Sequence, residues 1–99
     1  MKNLCYEPVA ISLYCVILDE SFCEPGSRQF FLSLRNYELL DDVINIGNAL
    51  GFCAFDRYLL LEAIQKFQKD ENQNHFTIVS EKTDVQYNFE MKLVYSISA

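Results

Sequence analysis

Four cysteines and a single histidine are the residues of this chain best suited to covalent or metal chemistry. A cysteine with a histidine as its base makes a nucleophile, provided something lowers the thiol pKa. Cys5, Cys15, Cys23 and Cys53 are spread along the chain, far from His75. Arg28, shortly after Cys23, is the nearest approach to an activating cation. The reading is inert thiols and a histidine at the end of a hairpin. A structural zinc site takes four ligands, usually in close pairs, and no C-x-x-C occurs here. No metal site is therefore expected. No secretory signal accompanies the cysteines, so they read as reduced thiols, with Cys15 and Cys53 as small core residues.

The chain's fourteen carboxylates include three neighbouring pairs, Asp19-Glu20, Asp41-Asp42 and Asp70-Glu71. Acid–base chemistry needs a pair whose environments push the two pKa values apart. Adjacent residues on a helix do not face each other, and the other two pairs fall in polar loops. These acids read as solvated surface. Gly26, Gly47 and Gly51 are the only glycines, and none sits in a Gly-rich strand-to-helix turn of the kind that cradles phosphate. No catalytic residue and no cofactor is expected.

The charge balance excludes further classes. The net charge is −6, and the eight cations from Lys2 to Lys92 are scattered. A nucleic-acid binder carries a basic patch, so direct nucleic-acid contact is not expected. No run approaches the roughly 18–20 apolar residues of a membrane helix. Val9 to Leu18 is preceded by Glu7-Pro8 and followed by Asp19-Glu20, the wrong flanks for a signal peptide. The chain reads as unprocessed and cytoplasmic.

The elements come from the hydrophobic period. At 99 residues, 51% of them apolar, residues 1–99 suit one domain with its own core. From Val85 to Ile97 every odd position is apolar: Val85, Tyr87, Phe89, Met91, Leu93, Tyr95 and Ile97. Alternation this long predicts a half-buried strand, bent or bulged somewhere along its length. His75 to Ser80, across a polar connection, makes the other arm of a hairpin. Val9 to Leu18 and Gln29 to Arg35 predict two more strands. Between these two lies a loop whose Pro25-Gly26 suits a type II turn.

The middle of the chain is helical. Asn36 is the expected N-cap of a first helix, with Leu39, Leu40, Val43, Ile46 and Leu50 at helical spacing and Gly51 as its stop. Gly47 inside it marks a close packing contact. A second helix runs from about Phe55 to Lys69 on Leu60, Ile64 and Phe67. Tyr58, Leu59 and Leu61 widen its apolar arc, so this helix is either enclosed or meets a partner. The expected fold is α+β: a two-layer ββααββ arrangement with a four-stranded antiparallel sheet and two helices packed on one face.

Helices on one face should leave the other wet. The C-terminal strand obeys this, with Gln86, Asn88, Glu90 and Lys92 between its apolar residues. The first strand does not: Tyr14, Val16 and Leu18 lie off its apolar odd face, and Phe31 does the same in the next strand. Exposed together, these four form a candidate protein interface. Asp19, Glu20 and Glu24, in the loop that follows, join the candidate as charges that steer a basic surface. The function expected from these observations is a small non-enzymatic protein-binding module, an inhibitor of the kind phages and bacteria encode, acting by protein–protein contact. Two other classes compete. One is a structural or assembly subunit forming a homo-oligomer, such as a homodimer. The other is a small enzyme whose site the sequence does not reveal.

Overall fold

The computed structural model describes residues 5–21, 24–81 and 83–98. In chain order its elements are β1 (Cys5–Leu18), β2 (Gly26–Ser33), α1 (Asn36–Leu50), α2 (Ala54–Lys69), β3 (His75–Val79) and β4 (Gln86–Ser98). The sheet order is β2-β1-β4-β3, antiparallel throughout. The first and last strands are thus the central pair, and each hairpin adds an edge strand. This is the α+β, two-layer ββααββ fold that the hydrophobic periods predict.

Alternation builds the core. Ile11, Leu13 and Cys15 of β1, Leu32 of β2, Ile78 of β3, and Tyr87, Phe89 and Met91 of β4 are buried on one side of the sheet. Leu39, Val43, Ile46 and Leu50 of α1 and Leu60, Ile64 and Phe67 of α2 meet them in one cluster. Phe76 stacks on Phe89 at 4.6 Å between ring centroids, and Phe52 sets its edge on Tyr87 at 4.8 Å. Such pairs add to the burial of the rings themselves.

The ends of the helices depart from expectation in part. Arg35, not Asn36, is the N-cap of α1; its backbone is extended and no side chain caps the helix. Ser33 instead donates its N–H to the Asp42 carboxylate at 2.8 Å, tying the end of β2 to α1. Gly51 closes α1 as expected, at φ 74°, where only glycine is free of Cβ strain. Phe52 N–H reaches the Gly47 carbonyl at 2.8 Å and Gly51 N–H the Asn48 carbonyl at 3.3 Å, a Schellman stop. Gly47 is the close contact the sequence marks: a Cβ there would run into the Cγ and Cδ of Arg57, whose stem crosses it from α2.

Four further expectations are corrected. Gly26 has no positive φ among the described residues; it pairs with Ile17 and opens β2, so the Pro25-Gly26 step is not a type II turn with Gly26 at its third position. The sheet irregularity falls not within β4 but on its neighbour, between Pro8 and Ala10 of β1. Leu40 is exposed, because the helical spacing rotates it past the edge of the core. Tyr58 is exposed too, while Leu59 and Leu61 are only half-buried beside the core, so of the two readings of α2 the enclosed one fails.

The central pair outruns the rest of the molecule. β2 ends at Ser33, opposite Ala10, and β3 begins at His75, opposite Glu90. Beyond these points Cys5 to Pro8 pair with Tyr95 to Ser98 alone, as a two-stranded arm. The Cα radius of gyration is 15.2 Å and the long axis 57 Å. A compact domain of this length would have a radius of about 13 Å.

Candidate protein-binding face

The residues singled out for covalent chemistry do not come together. Among the described residues Cys15 and Cys53 are free thiols. Cys23 and the Cys5 side chain lie outside the described residues. Cys15 is buried beneath the helices, and burial pushes its thiol up to about 11 despite the opposing field of Arg28. A thiol held protonated in this way is a core residue rather than a nucleophile. His75 stands on the sheet's other side. It meets Asn74 Oδ1 at 2.7 Å and the Glu90 carboxylate at 3.3 Å. Among the described residues no group of three or more His, Cys, Asp or Glu is placed to hold a metal ion.

The carboxylate pairs serve the backbone. Asp19 accepts the Ser21 N–H at 2.9 Å, Asp42 that of Ser33, and Asp70 that of Asn72 at 3.0 Å. The carboxylate that stands out is one sequence reasoning passed over. Asp56, in the first turn of α2, is 1% exposed and neither oxygen has a hydrogen-bond partner. Its place at the positive end of the α2 dipole offsets part of the cost of burial. The signal that could have found it is its spacing: Asp56 falls one and two turns before Leu60 and Ile64 on the buried stripe of α2.

The face of the sheet turned away from the helices is open, and register decides who meets whom on it. One row runs Gln29, Tyr14, Glu90, His75 across the four strands; the next runs Ser27, Val16, Asn88, Thr77. Phe31 and Lys92 flank Ser12 one row below, and Leu18, Gln86 and Val79 close the top. The face is therefore divided. The β3–β4 half is a hydrogen-bonded polar band. Lys92 lies 3.2 Å from Glu90, whose carboxyl is held below its usual range chiefly by that contact. Thr77 and Gln86 both donate to Asn88 Oδ1, at 2.9 and 3.0 Å.

The β1–β2 half carries the apolar residues expected there. Phe31 is 64% exposed and Tyr14 43%; Leu18 is exposed and Val16 half-buried. The structure thus brings Tyr14, Val16 and Leu18 together along one strand, with Phe31 diagonal to Tyr14. Val79, exposed at the end of Leu18's row, extends the apolar surface and was not singled out from sequence. A shallow depression of about 330 Å³ lies among Ser12, Tyr14, Gln29, Glu90 and Lys92, where the two halves meet.

Topology also sorts the acids. Asp19, Glu20 and Glu24 of the β1–β2 loop and Glu81 and Asp84 of the β3–β4 loop stand at the same end of the sheet, beside the Leu18 row. Asp70 and Glu71, in the α2–β3 loop, stand at the opposite end. Only part of the acidic charge is thereby collected on one rim. Among the described residues no helix is long and apolar enough to cross a membrane. Comparison with protein-family models, curated proteins and solved structures finds no match to this chain.

Proposed function

We propose that this chain is a protein-binding module that acts by contact rather than by catalysis, using the open face of its sheet. The observation that carries this reading is the cluster Tyr14, Leu18 and Phe31, left exposed on paired strands, with the half-buried Val16 between Tyr14 and Leu18. At roughly 200 Å² per aromatic residue, the exposed parts of Tyr14 and Phe31 come to about 200 Å². Leu18 adds to this, bringing the surface close to the roughly 300–600 Å² of a typical monomer's largest apolar patch, which is often functional. The Glu90–Lys92–His75 band supplies polar contacts along its flank, as the rim of an interface does.

The acidic rim above Leu18 gives the partner its chemistry: an apolar patch bordered by basic groups. Charge of this kind raises the association rate more than it tightens the complex. Occlusion of a working surface on that partner is the inhibitory mode open to a small module that acts by contact.

The test uses affinity capture from cells that express the chain, followed by identification of what binds. Wild type and Tyr58→Glu, which alters the helical layer, should recover the same protein. Phe31→Glu should lose it while keeping its circular dichroism spectrum. With the partner in hand, the association rate should fall as salt rises, and fall less for a variant with Asp19, Glu20 and Glu24 changed to Ser. Equal recovery by wild type and Phe31→Glu would remove the open face from the account.

A further inference from the structure

The arm has two edges, and only one is guarded. A peptide N–H in an antiparallel ladder alternates between its two neighbours. Met91 donates its N–H to the Asn74 carbonyl at 2.8 Å, on the β3 side. The N–H and C=O groups of Leu93, Tyr95 and Ile97 therefore point the same way, beyond the start of β3. Among the described residues nothing pairs with them. On the other edge, the same alternation turns Pro8 outward, where it has no N–H to offer, and the irregularity at Val9 breaks the line. Proline and bulges are the devices that keep an edge from recruiting strands. The far edge of β2 is closed at its end by the Asp42 cap on Ser33. The β4 edge from Leu93 to Ser98 carries no proline, no bulge and no charge.

We propose that this edge pairs with the same edge of a second copy, antiparallel, about a two-fold axis at Tyr95. The segment is complementary to itself under that operation. Tyr95 faces Tyr95 of the copy, and Leu93 faces Ile97 twice over. The outward N–H and C=O groups of all three residues then meet partners at once. Val94 falls opposite Ser96 and Lys92 opposite Ser98, so no like charges stand across from each other. The stretch ends where the Asn74 carbonyl takes the Met91 N–H. A closed two-fold of this kind is the commonest way for identical chains to associate.

The arm's apolar surface favours the same arrangement. Tyr6 is 64% and Tyr95 48% exposed, and Val9 is exposed with them. A two-stranded ribbon is at best marginally stable alone in water. Of these three only Tyr95 lies on the pairing strand, so the apolar area the contact buries falls well short of the roughly 800 Å² per partner of a standard interface. The dimer is accordingly weak and concentration-dependent. The axis stands perpendicular to the sheet, so the two helical layers share one side. The two open faces share the other, as one doubled surface. The proposal does not depend on what the open face binds.

The experiment is sedimentation equilibrium of the whole chain from low micromolar to millimolar concentration. Wild type should rise from one chain of 11.5 kDa toward twice that mass. Tyr95→Pro should remain at one chain with its circular dichroism unchanged, because the N–H it removes points away from β1. A second variant keeps the test decisive if the proline disturbs folding. In a background with Cys5, Cys23 and Cys53 changed to Ser, Tyr95→Cys should oxidise to a covalent dimer, since paired residues of this type lie about 5.5 Å apart at Cα, within disulfide reach. Glu7→Cys in the same background should not. A wild type that stays monomeric throughout, a Tyr95→Pro that still dimerises, or equal cross-linking at positions 7 and 95 would overturn the proposal.

Discussion

Replacing Gly47 by Ala tests the packing that holds α2 against α1. In an open helix the change would stabilise by about 1 kcal/mol, because Ala is the better helix former. Here the new Cβ would occupy the space of Arg57 Cγ and Cδ. These are atoms in the middle of the stem, so the side chain cannot simply swing its tip away. Overpacking of this kind costs about 1–3 kcal/mol. The net expectation is a loss of about 1 kcal/mol, or about 4–8 °C in Tm for a domain of this size. In an Arg57→Ala background the obstacle is gone, and the same substitution should stabilise by up to about 1 kcal/mol. The two changes should therefore couple by about 1–3 kcal/mol in a double-mutant cycle read by urea unfolding. A Gly47→Ala variant more stable than wild type, or an effect of equal size in both backgrounds, would refute this account of why glycine stands there.

Two further outcomes follow from buried polar groups. Cys15 titrates near 9 when exposed but about 11 in the fold, so its contribution is complete below pH 9 and lost as pH rises toward 11. Stability should fall by up to about 3 kcal/mol across that window, and Cys15→Ala should flatten the slope in urea midpoints measured against pH. Tyr87→Phe removes the hydroxyl that donates to the Leu50 carbonyl at 3.2 Å, leaving that buried acceptor unpaired. It should cost about 1–2 kcal/mol in urea unfolding with the ring packing retained.

How much of this was legible in the chain follows from the range over which each feature is determined. Alternation along a strand and the 3.6-residue period of a helix are local, so the six elements, the buried face of β1 and the exposed Tyr14, Leu18 and Phe31 could be read directly. The Gly51 stop was local for the same reason: a left-handed residue after an apolar helix needs no distant partner. Leu40 misled because spacing says which residues share a stripe but not where the core ends. Asp42 misled because its partner is Ser33, an edge N–H that exists only once β2 lies against α1.

Everything that turns on strand order was decided by the folded chain. Pairing the first strand with the last set Tyr14 beside Glu90, put two of the three acidic loops on one end and left the third at the other. It also extended β1 back to Cys5, since only the far end of β4 could supply that segment's hydrogen bonds. The same pairing left one edge of the arm bare. Local sequence specifies which groups a strand carries, whereas a backbone N–H is satisfied or left open only by what the rest of the chain places beside it.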